Sequence, residues 1–298
     1  MNKKLKIGII GQGYVGKAIK SIIVEKGLKV ETYDKFLSKL SSCKSIKELA
    51  NLTNLIFICV PTPMNEDGSC HTEIVDNVIH EIDKEAPSEI SVVIKSTVIP
   101  GTSDKLSKKY SNVNLFFNPE FLTEANFIED FRNQNRIIIG YTKSDSELIE
   151  RLYNKLFPKI PILKTSARAA EMVKYLTNTF LATKVSFANE MKIICDSINV
   201  DYDEVVNLSL FDERLGSSHW QVPGPDGKYG FGGSCFPKDI NALIYSSKEK
   251  SYKPELLMAV ENVNNKQKLI LCKKINKFFK NKLKGKKISV WGLAFKPN

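Results

Sequence analysis

The cysteine at position 235 stands in an unusual setting for a thiol, inside the stretch GFGGSCFPKD (residues 230–239). A cysteine that only packs usually lies among bulky apolar neighbours, whereas the glycines before Cys235 let a ligand or another backbone come close. Lys238 follows, and a nearby cation favours a thiolate. Lys238 and Asp239 by themselves are also explained as a surface ion pair. Two interpretations are open: Cys235 packs as a small side chain, or it reacts as a nucleophile.

Two further pairs of polar residues occur at a spacing of four. Lys174 and Asn178 lie in the helical pattern EMVKYLTNTF and therefore share one helix face. Glu120 and Glu124, in NPEFLTEAN, share a face only if that segment is helical. Spacing alone explains either pair equally well as surface or helix-start residues, so the fold must decide.

The first elements that could position this chemistry form a dinucleotide-binding fingerprint. The buried strand pattern KIGII precedes Gly11, Gly13 and Gly16, a helix follows, and a second strand ends in Asp34. The first glycine permits the tight turn, the second lets a pyrophosphate approach the backbone, and the third lets helix and strand pack closely. The helix N-terminus would face the phosphates. Asp34 would accept hydrogen bonds from the adenosine ribose and repel a 2′-phosphate, which favours NAD over NADP; Lys35 weakens that preference slightly.

The alternation of strands and helices continues and predicts an α/β fold. Further buried strands are predicted at NLIFICV before Pro61–Pro63, at SVVIKSTVIPGT ending at Thr97, at NLFFNPEFL ending near Glu120, and at NRIIIG. Residues 1–165 therefore predict a doubly wound, mostly parallel Rossmann sheet that binds NAD.

The rest of the chain has a helical pattern. Residues 166–265 predict a central helical domain with a long connecting helix, which would join two halves of the molecule or two subunits, and a glycine- and proline-rich insertion before Cys235. Residues 266–298 predict the start of a further domain, of which KKISVWGLAF would be the first strand.

The amino-acid composition indicates a soluble globular protein. The 298 residues are 42% hydrophobic and 26% charged, as in soluble globular proteins. No run approaches a membrane span, and the N-terminus lacks the apolar segment of a signal peptide, so a cytoplasmic protein is expected. The six cysteines and three histidines are scattered without zinc spacing, so reduced thiols and no metal are expected.

The net charge of +11 suggests an acidic ligand. Much of the excess lies in the lysine-rich residues 266–287, which are explained most simply as a solvated helix face and loop. No nucleic-acid-binding motif accompanies them. An anionic small molecule such as a nucleotide accounts for the charge equally well, and no nucleic-acid partner is expected.

Eight motifs occur in this order: GQGYVG, VPTP, KSTVIPGT, NPEFLTEAN, EMVKYLTNTF, DERLG, GFGGSCFPKD and GLAFKPN. Together they closely resemble the UDP-glucose 6-dehydrogenase family and its relatives acting on other nucleotide sugars (the UDP-glucose/GDP-mannose dehydrogenases). The resemblance covers essentially the whole chain, and the cysteine motif within the ordered set is highly specific. It implies an NAD-dependent four-electron oxidation of the sugar's C6 alcohol to a carboxylate, giving UDP-glucuronate from UDP-glucose for polysaccharide biosynthesis.

The resemblance also implies catalytic roles. Cys235 would hold the half-oxidised carbon as a thiohemiacetal and then a thioester. Lys174 and Asn178 would donate hydrogen bonds to the developing oxyanion. Glu120 would be the base for thioester hydrolysis, and Asp239 would orient a water or accept the alcohol proton. The implied catalytic set is Cys235, Lys174, Asn178, Glu120, Asp239 and Thr97.

Binding residues are carried over from the same motifs. The implied cofactor set is Gly11, Gly13, Tyr14, Val15, Gly16, Asp34, Thr62, Thr97, Glu124 and Lys238. The implied substrate set is Glu120, Phe121, Leu122, Glu124, Lys174, Asn178, Arg214, Phe231, Gly232, Phe295 and Lys296. In the family the equivalent of Arg214 reaches the substrate across a dimer interface, so a homodimer through the long helix is expected.

The sequence departs from the family after GLAFKPN, where a second Rossmann-like domain normally follows. We expect NAD binding from this chain, but weak turnover unless another chain supplies the remainder. The insertion HWQVPGPDGKY leaves the sugar open, with UDP-N-acetylmannosamine and GDP-mannose as alternatives. A single-step 2- or 3-hydroxy-acid dehydrogenase, which needs no thiol, and a non-catalytic NAD-binding half-protein are the competing interpretations.

Overall fold

The computed structural model describes residues 4–143 and 147–290. The chain forms two compact units, Met1–Tyr175 and Leu176–Asn298. The functional boundaries predicted at residues 165 and 265 stay predictions. In the described ranges, no helix is both long enough and apolar enough to cross a membrane.

Regular structure accounts for most of the described chain. The strands are β1 (Ile7–Ile10), β2 (Val30–Tyr33), β3 (Leu55–Ile58), β4 (Ile90–Ile94), β5 (Val113–Phe117), β6 (Ile137–Tyr141) and β7 (Ile162–Ser166). The helices are α1 (Tyr14–Glu25), α2 (Ile46–Leu52), α3 (Glu73–Glu85), α4 (Thr102–Lys109), α5 (Phe127–Arg132), α6 (Glu147–Leu156), α7 (Ala167–Ser197), α8 (Tyr202–Ser209), α9 (Phe236–Glu249), α10 (Glu255–Lys268) and α11 (Ile270–Phe278).

The strands form one mostly parallel sheet in the order β2-β1-β3-β4-β5-β6-β7, which confirms the predicted fold class. The β5–β6 pair is antiparallel, and the other neighbouring pairs are parallel. The chain direction across the sheet changes between β1 and β3. In such sheets ligands bind outside the carboxyl ends of the strands at this switch point, where the loops after β1 and β3 lie.

Differences from the predicted strands lie at their ends and at one edge. β4 ends at Ile94 rather than Thr97, and β5 ends at Phe117, three residues before Glu120. The prediction missed β7 because its sequence, ILKTS, lacks an apolar run, and its side chains are mostly exposed at the sheet edge. The described residues after Lys286 form no strand up to Val290, and the remainder of KKISVWGLAF lies outside the described residues.

Apolar layers cover both faces of the sheet, which explains the continuous apolar runs of its strands. Helix α1 packs Ile19 and Ile22 against one face, while α2 and α3 pack Leu49 and Ile79 against the other. All four side chains are at most 1% exposed, and truncating such a residue to alanine typically costs about 2–5 kcal/mol. The sheet is therefore a rigid platform for the loops at its carboxyl edge.

The second unit is helical, as predicted for this part of the chain. The C-terminal two thirds of α7 contribute Ala182 to a core completed by Phe231, Ile240 and Val260. Helix α9 begins directly after Cys235, and its buried face includes Ile240. The unit therefore fixes the start of α9 against α7, which bears directly on the site.

Candidate active site

The glycine loop after β1 has the shape that a pyrophosphate requires. Gly11 has φ +94°, and a Cβ there would come within 2.6 Å of the Cys59 carbonyl oxygen. A Cβ at Gly16 would overlap the Gly11 carbonyl oxygen, whereas one at Gly13 would meet nothing within 4 Å. The loop therefore packs tightly against protein atoms at Gly11 and Gly16 and leaves open space at Gly13. Gly13 directly precedes α1, whose first residues are Tyr14 and Val15. This arrangement fits a dinucleotide phosphate.

Asp34 follows β2 and is held by backbone donors. Its Oδ2 accepts the Gln12 N–H at 2.7 Å, and its Oδ1 accepts the N–H groups of Phe36 and Leu37 at 2.9 Å. Burial raises the pKa of Asp34, but these three hydrogen bonds outweigh it and hold the pKa below its ordinary value. A carboxylate has about four acceptor positions, so an ionised Asp34 keeps capacity for a ribose hydroxyl.

The loops after β3 and β4 are tied together at the same sheet edge. The buried hydroxyl of Thr62 donates to the Thr97 carbonyl oxygen at 2.8 Å. Ser96 Oγ donates to the Val60 carbonyl oxygen at 2.6 Å. The structure therefore brings Thr62 and Thr97 together, beside the switch point at which the glycine loop begins.

Glu120 lies in the loop after β5 and is buried, with 7% of its surface exposed. Its carboxylate forms an ion pair with Lys95, whose side chain is fully buried, and Lys95 Nζ also donates to Asn118 Oδ1 at 2.5 Å. Neither Lys95 nor Asn118 was predicted as a site residue. Lys95 could have been found only as the charged residue that ends an otherwise apolar strand pattern.

The segment between Glu120 and Glu124 is not helical, so the condition for placing these carboxylates on one helix face is not met. Glu124 is half-buried in the turn before α5. Phe121 lies between two cations: the Lys174 Nζ is 5.3 Å and the Arg136 guanidinium 4.8 Å from its ring centroid. Leu122 is half-buried and packs against the core on the α1 side of the sheet.

Lys174 and Asn178 lie one helical turn apart on α7, as their spacing predicted. Both are buried, with 8% and 6% of their surfaces exposed, so the interpretation as solvated surface residues is wrong. Lys174 Nζ donates a hydrogen bond to the Glu120 carbonyl oxygen. Two lysines thus hold residue 120, one at its side chain and one at its backbone.

Cys235 is the N-cap residue of α9 and is exposed. The positive end of the helix dipole lies at this position, where it stabilises negative charge. One turn along α9, the backbone N–H of Asp239 donates to the Cys235 carbonyl oxygen at 2.9 Å. Asp239 is 1% exposed and accepts hydrogen bonds of 2.5 Å from Asn178 Nδ2 and Lys238 Nζ. Lys238 and Asp239 are therefore a largely buried pair rather than a surface one.

Two buried asparagines that the sequence analysis missed hold the glycine segment before Cys235. Asn264 on α10 accepts the Phe231 N–H at 2.7 Å and donates to the Phe231 carbonyl oxygen at 3.1 Å. Asn189 on α7 accepts the Gly230 N–H at 3.0 Å. Because they come from helices 33 and 41 residues distant along the chain, no local motif indicates them.

A cavity of about 550 Å³ adjoins this segment and is lined by Phe231, Gly232, Phe236 and His219, among others. Burial lowers the pKa of His219, and the Lys184 cation lowers it further, so the imidazole is neutral near pH 7. The cavity is large enough for part of a nucleotide sugar and has aromatic walls.

Arg214 pairs with its near neighbour in sequence, Asp212. Its side chain is 87% exposed and donates to Asp212, and within the described residues no hydrogen bond joins it to another predicted site residue. Phe295 and Lys296 lie outside the described residues.

Two family models match the chain. The UDP-glucose/GDP-mannose dehydrogenase family NAD binding domain matches residues 17–157, and the central domain of the same family matches residues 168–266. The chain is 32% identical to UDP-glucose 6-dehydrogenase of Pseudomonas aeruginosa over 98% of its own length and 72% of that protein. It is 33% identical to UDP-glucose 6-dehydrogenase TuaD of Bacillus subtilis, over 98% of this chain and 70% of TuaD.

A solved structure that is similar to this chain is also named a UDP-glucose dehydrogenase. The UDP-glucose dehydrogenase from the archaeon Pyrobaculum islandicum superposes with a TM-score of 0.84 at 27% identity, covering 93% of this chain and 72% of that one. Matches to both family domains, together with identities above 30% over nearly all of this chain, show that it belongs to the UDP-glucose/GDP-mannose dehydrogenase family of NAD-dependent oxidoreductases.

Proposed function

We propose that this chain is a UDP-glucose 6-dehydrogenase, which oxidises the C6 alcohol of UDP-glucose to the carboxylate of UDP-glucuronate with two molecules of NAD. The observation that carries the proposal is the start of α9. There an exposed thiol, Cys235, lies one turn from Asp239, a buried carboxylate bound by Asn178. Family relatives that act on UDP-glucose support the choice of substrate.

The proposed reaction balances in four steps. The alcohol loses a hydride and a proton to give the aldehyde, and the thiolate then adds to the aldehyde carbon to form a thiohemiacetal. That adduct loses a second hydride and a proton to give a thioester. Water attacks the thioester carbonyl, the C–S bond breaks, and the carboxylate leaves with Cys235 restored.

We assign NAD to the glycine loop after β1 and to Asp34 after β2. The backbone of the Gly11–Gly16 loop and the N-terminus of α1 would bind the pyrophosphate, and Asp34 would bind the adenosine ribose. Thr62 and Thr97 lie at the same sheet edge and are assigned to this site. When bound, NAD supplies the hydride acceptor for each of the two oxidations.

The protein's own groups would handle charge and protons. Cys235 lies at the N-terminus of α9, where a helix dipole favours negative charge. Lys174 and Asn178 present an ammonium and an amide from one face of α7, the donor types that an oxyanion requires. Asp239 would orient a water or take the alcohol proton, and Glu120 would accept a proton from the water that hydrolyses the thioester.

A homodimer is part of the proposal. Along α7, large apolar side chains recur at helical spacing on an exposed face: Met172, Leu176, Phe180, Phe187, Ile194 and Ile198 are 39–62% exposed. A helix face of this kind is normally covered by a partner. A second copy with its own α7 would cover it, and the exposed Arg214 is then available to a partner's substrate. None of the six cysteines forms a disulfide in the described residues, which supports the proposal of a reducing cytoplasmic location.

The stoichiometry of NADH formation tests the function. The chain is incubated with NAD and, separately, UDP-glucose, UDP-N-acetylmannosamine or GDP-mannose, and NADH formed per sugar consumed is counted. Two NADH with UDP-glucose supports the proposal. Two with another sugar would reassign the substrate, and one NADH per substrate would indicate a simple alcohol dehydrogenase. That residues 1–298 by themselves bind NAD but turn over slowly stays a prediction of the same assay.

A further inference from the structure

Glu120 is paired with Lys95, a lysine whose side chain has no contact with solvent. Lys95 directly follows β4, and its side chain is 0% exposed. Lysine is almost never fully buried unless it is paired, because removing its charge from water is costly. None of the roles assigned above uses Lys95, so its retention in the core requires another explanation.

Lys95 is the centre of a small polar network. Its Nζ forms the ion pair with Glu120 Oε1 and donates to Asn118 Oδ1 at 2.5 Å. The Tyr153 hydroxyl donates to the same Asn118 oxygen, and Asn118 Nδ2 donates to the Ile138 carbonyl oxygen at 2.6 Å. Asn118 thus uses both ends of its amide, which fixes its orientation and, through it, the position of the Lys95 ammonium.

The other titratable groups in the network stay neutral. Burial raises the pKa of Cys59 to about 12, and it raises the pKa of Tyr153 well above its ordinary value. Neither thiol nor phenol therefore ionises near pH 7 to balance Lys95. On its remaining side the Lys95 Nζ faces the Phe131 ring, at 5.9 Å from the centroid. Glu120 is accordingly the counter-ion of Lys95.

Glu120 nevertheless keeps access to a cavity. Its side chain is 10% exposed and lines a cavity of about 310 Å³ together with Phe121, Leu122 and Arg136. Lys174 holds the carbonyl oxygen of the same residue. Lys95 therefore fixes the Glu120 carboxylate from the buried side, while the exposed part of the Glu120 side chain can be reached from the cavity.

We propose that Lys95 is a positioning residue that holds the Glu120 carboxylate through their ion pair and aims it for the hydrolysis half of the reaction. The inference rests on the proposed function. In that step a water O–H bond breaks and its proton goes to the Glu120 carboxylate, while the water oxygen bonds to the thioester carbon. The C–S electron pair returns to Cys235 as the C–S bond breaks, and no oxidation occurs. Without a cation at position 95, the buried Glu120 carboxylate loses its ion pair and the contact that fixes its direction.

The test separates hydrolysis from the oxidations. Lys95→Met preserves chain length and removes the charge. When it is mixed rapidly with NAD and UDP-glucose, the first two NADH per site should form at close to the wild-type rate. Hydrolysis should then slow by at least about 10-fold, and by less than the roughly 10²- to 10⁴-fold that general-base catalysis contributes as a whole, because Glu120 is still present. The adduct on Cys235, measured by mass spectrometry after quenching, should accumulate accordingly. Lys109→Met, which removes a surface lysine bonded to Asp76, is the matched control and should show no accumulation.

A double-mutant comparison distinguishes positioning from structural support, and it remains decisive if Lys95→Met alone fails to fold. Glu120→Gln and Lys95→Met/Glu120→Gln should hydrolyse the adduct at the same rate, within about twofold, because Lys95 acts only through Glu120. The double variant contains no unpaired buried charge, so it should fold. Further slowing in the double variant, or normal hydrolysis in a folded Lys95→Met, would overturn the inference. A wild-type chain that forms no adduct would instead refute the proposed function.

Discussion

Asn178 on α7 and Asp239 on α9 are joined by a hydrogen bond of 2.5 Å, with the amide Nδ2 donating to the carboxylate Oδ2. The bond fixes the first turn of α9, which carries Cys235 at its N-cap, to α7. Asp239 is only 1% exposed and is therefore shielded from water. Its hydrogen bonds are strong for that reason, and a charge at this position is costly to leave unpaired.

Asp239→Asn should abolish most activity without unfolding the protein. The amide retains the shape of the carboxylate but loses its charge and cannot accept from Asn178 and Lys238 in the same way. We expect kcat to fall by at least about 100-fold, the usual order for loss of a proton acceptor. Asp196→Asn, at an exposed ion pair on α7, is the control. A folded Asp239→Asn variant with kcat near wild type would rule out this role.

The three glycines of the nucleotide loop should respond differently to alanine. Gly16→Ala places a Cβ on the Gly11 carbonyl oxygen, so it should lower the thermal midpoint substantially. Gly13→Ala meets no protein atom within 4 Å and should leave the midpoint near wild type, yet it should weaken NAD binding by about tenfold or more because the Cβ enters the pyrophosphate space. Calorimetric titration with NAD and thermal unfolding check both. Equal thermal midpoints for the two variants would contradict the geometry.

Asp34 should set the preference for NAD over NADP. Asp34→Ser removes the charge that repels a 2′-phosphate, so the ratio of NADP to NAD affinity should rise by about 10-fold or more. Because the pKa of Asp34 in the folded protein lies below its ordinary value, its contribution to stability is complete above the ordinary value and is lost only as pH falls through the folded pKa. The affinity for NAD should therefore be constant from about pH 5 to 8 in calorimetric titrations, because Asp34 stays ionised over that range. An NAD affinity that changes over that range would show that another group controls it.

The exposed apolar face of α7 should mediate dimer formation. Phe180 is 61% exposed on that face, and Phe180→Asp would bury an unpaired charge in the proposed interface. Sedimentation analysis should show a dimer for wild type and monomers for the variant at micromolar concentration. Asp196→Asn, at an exposed ion pair on the opposite side of the same helix, should remain dimeric. A wild-type monomer would refute the dimer, and a dimeric Phe180→Asp would place the interface elsewhere.

Local patterns predicted the parts of the site that depend on local geometry. The loop from Gly11 to Gly16 and Asp34 could be identified because a strand, a glycine turn and a helix follow one another within one βαβ unit. The shared face of Lys174 and Asn178 followed from helical spacing in the same way.

The supporting groups could not be predicted, because their partners are distant in sequence. Lys95 and Glu120 follow two neighbouring strands, β4 and β5, which only the sheet brings together. Asn264 reaches Phe231 from another helix, across 33 residues. Glu120 and Glu124 would share a helix face only in a helical segment, and that face does not form because α5 begins only at Phe127.

The central chemical claim is that the sulfur of Cys235 carries the sugar between its two oxidations. Wild-type protein is mixed with NAD and UDP-glucose, quenched in acid within a turnover, digested and analysed by mass spectrometry, with Cys235→Ser and Cys272→Ser treated in parallel. The account predicts a nucleotide-sugar acyl adduct on the peptide containing Cys235 in wild type and in Cys272→Ser, and none in Cys235→Ser. Carboxylate production with two NADH per sugar by Cys235→Ser, or by a wild type that never carries the adduct, would contradict it.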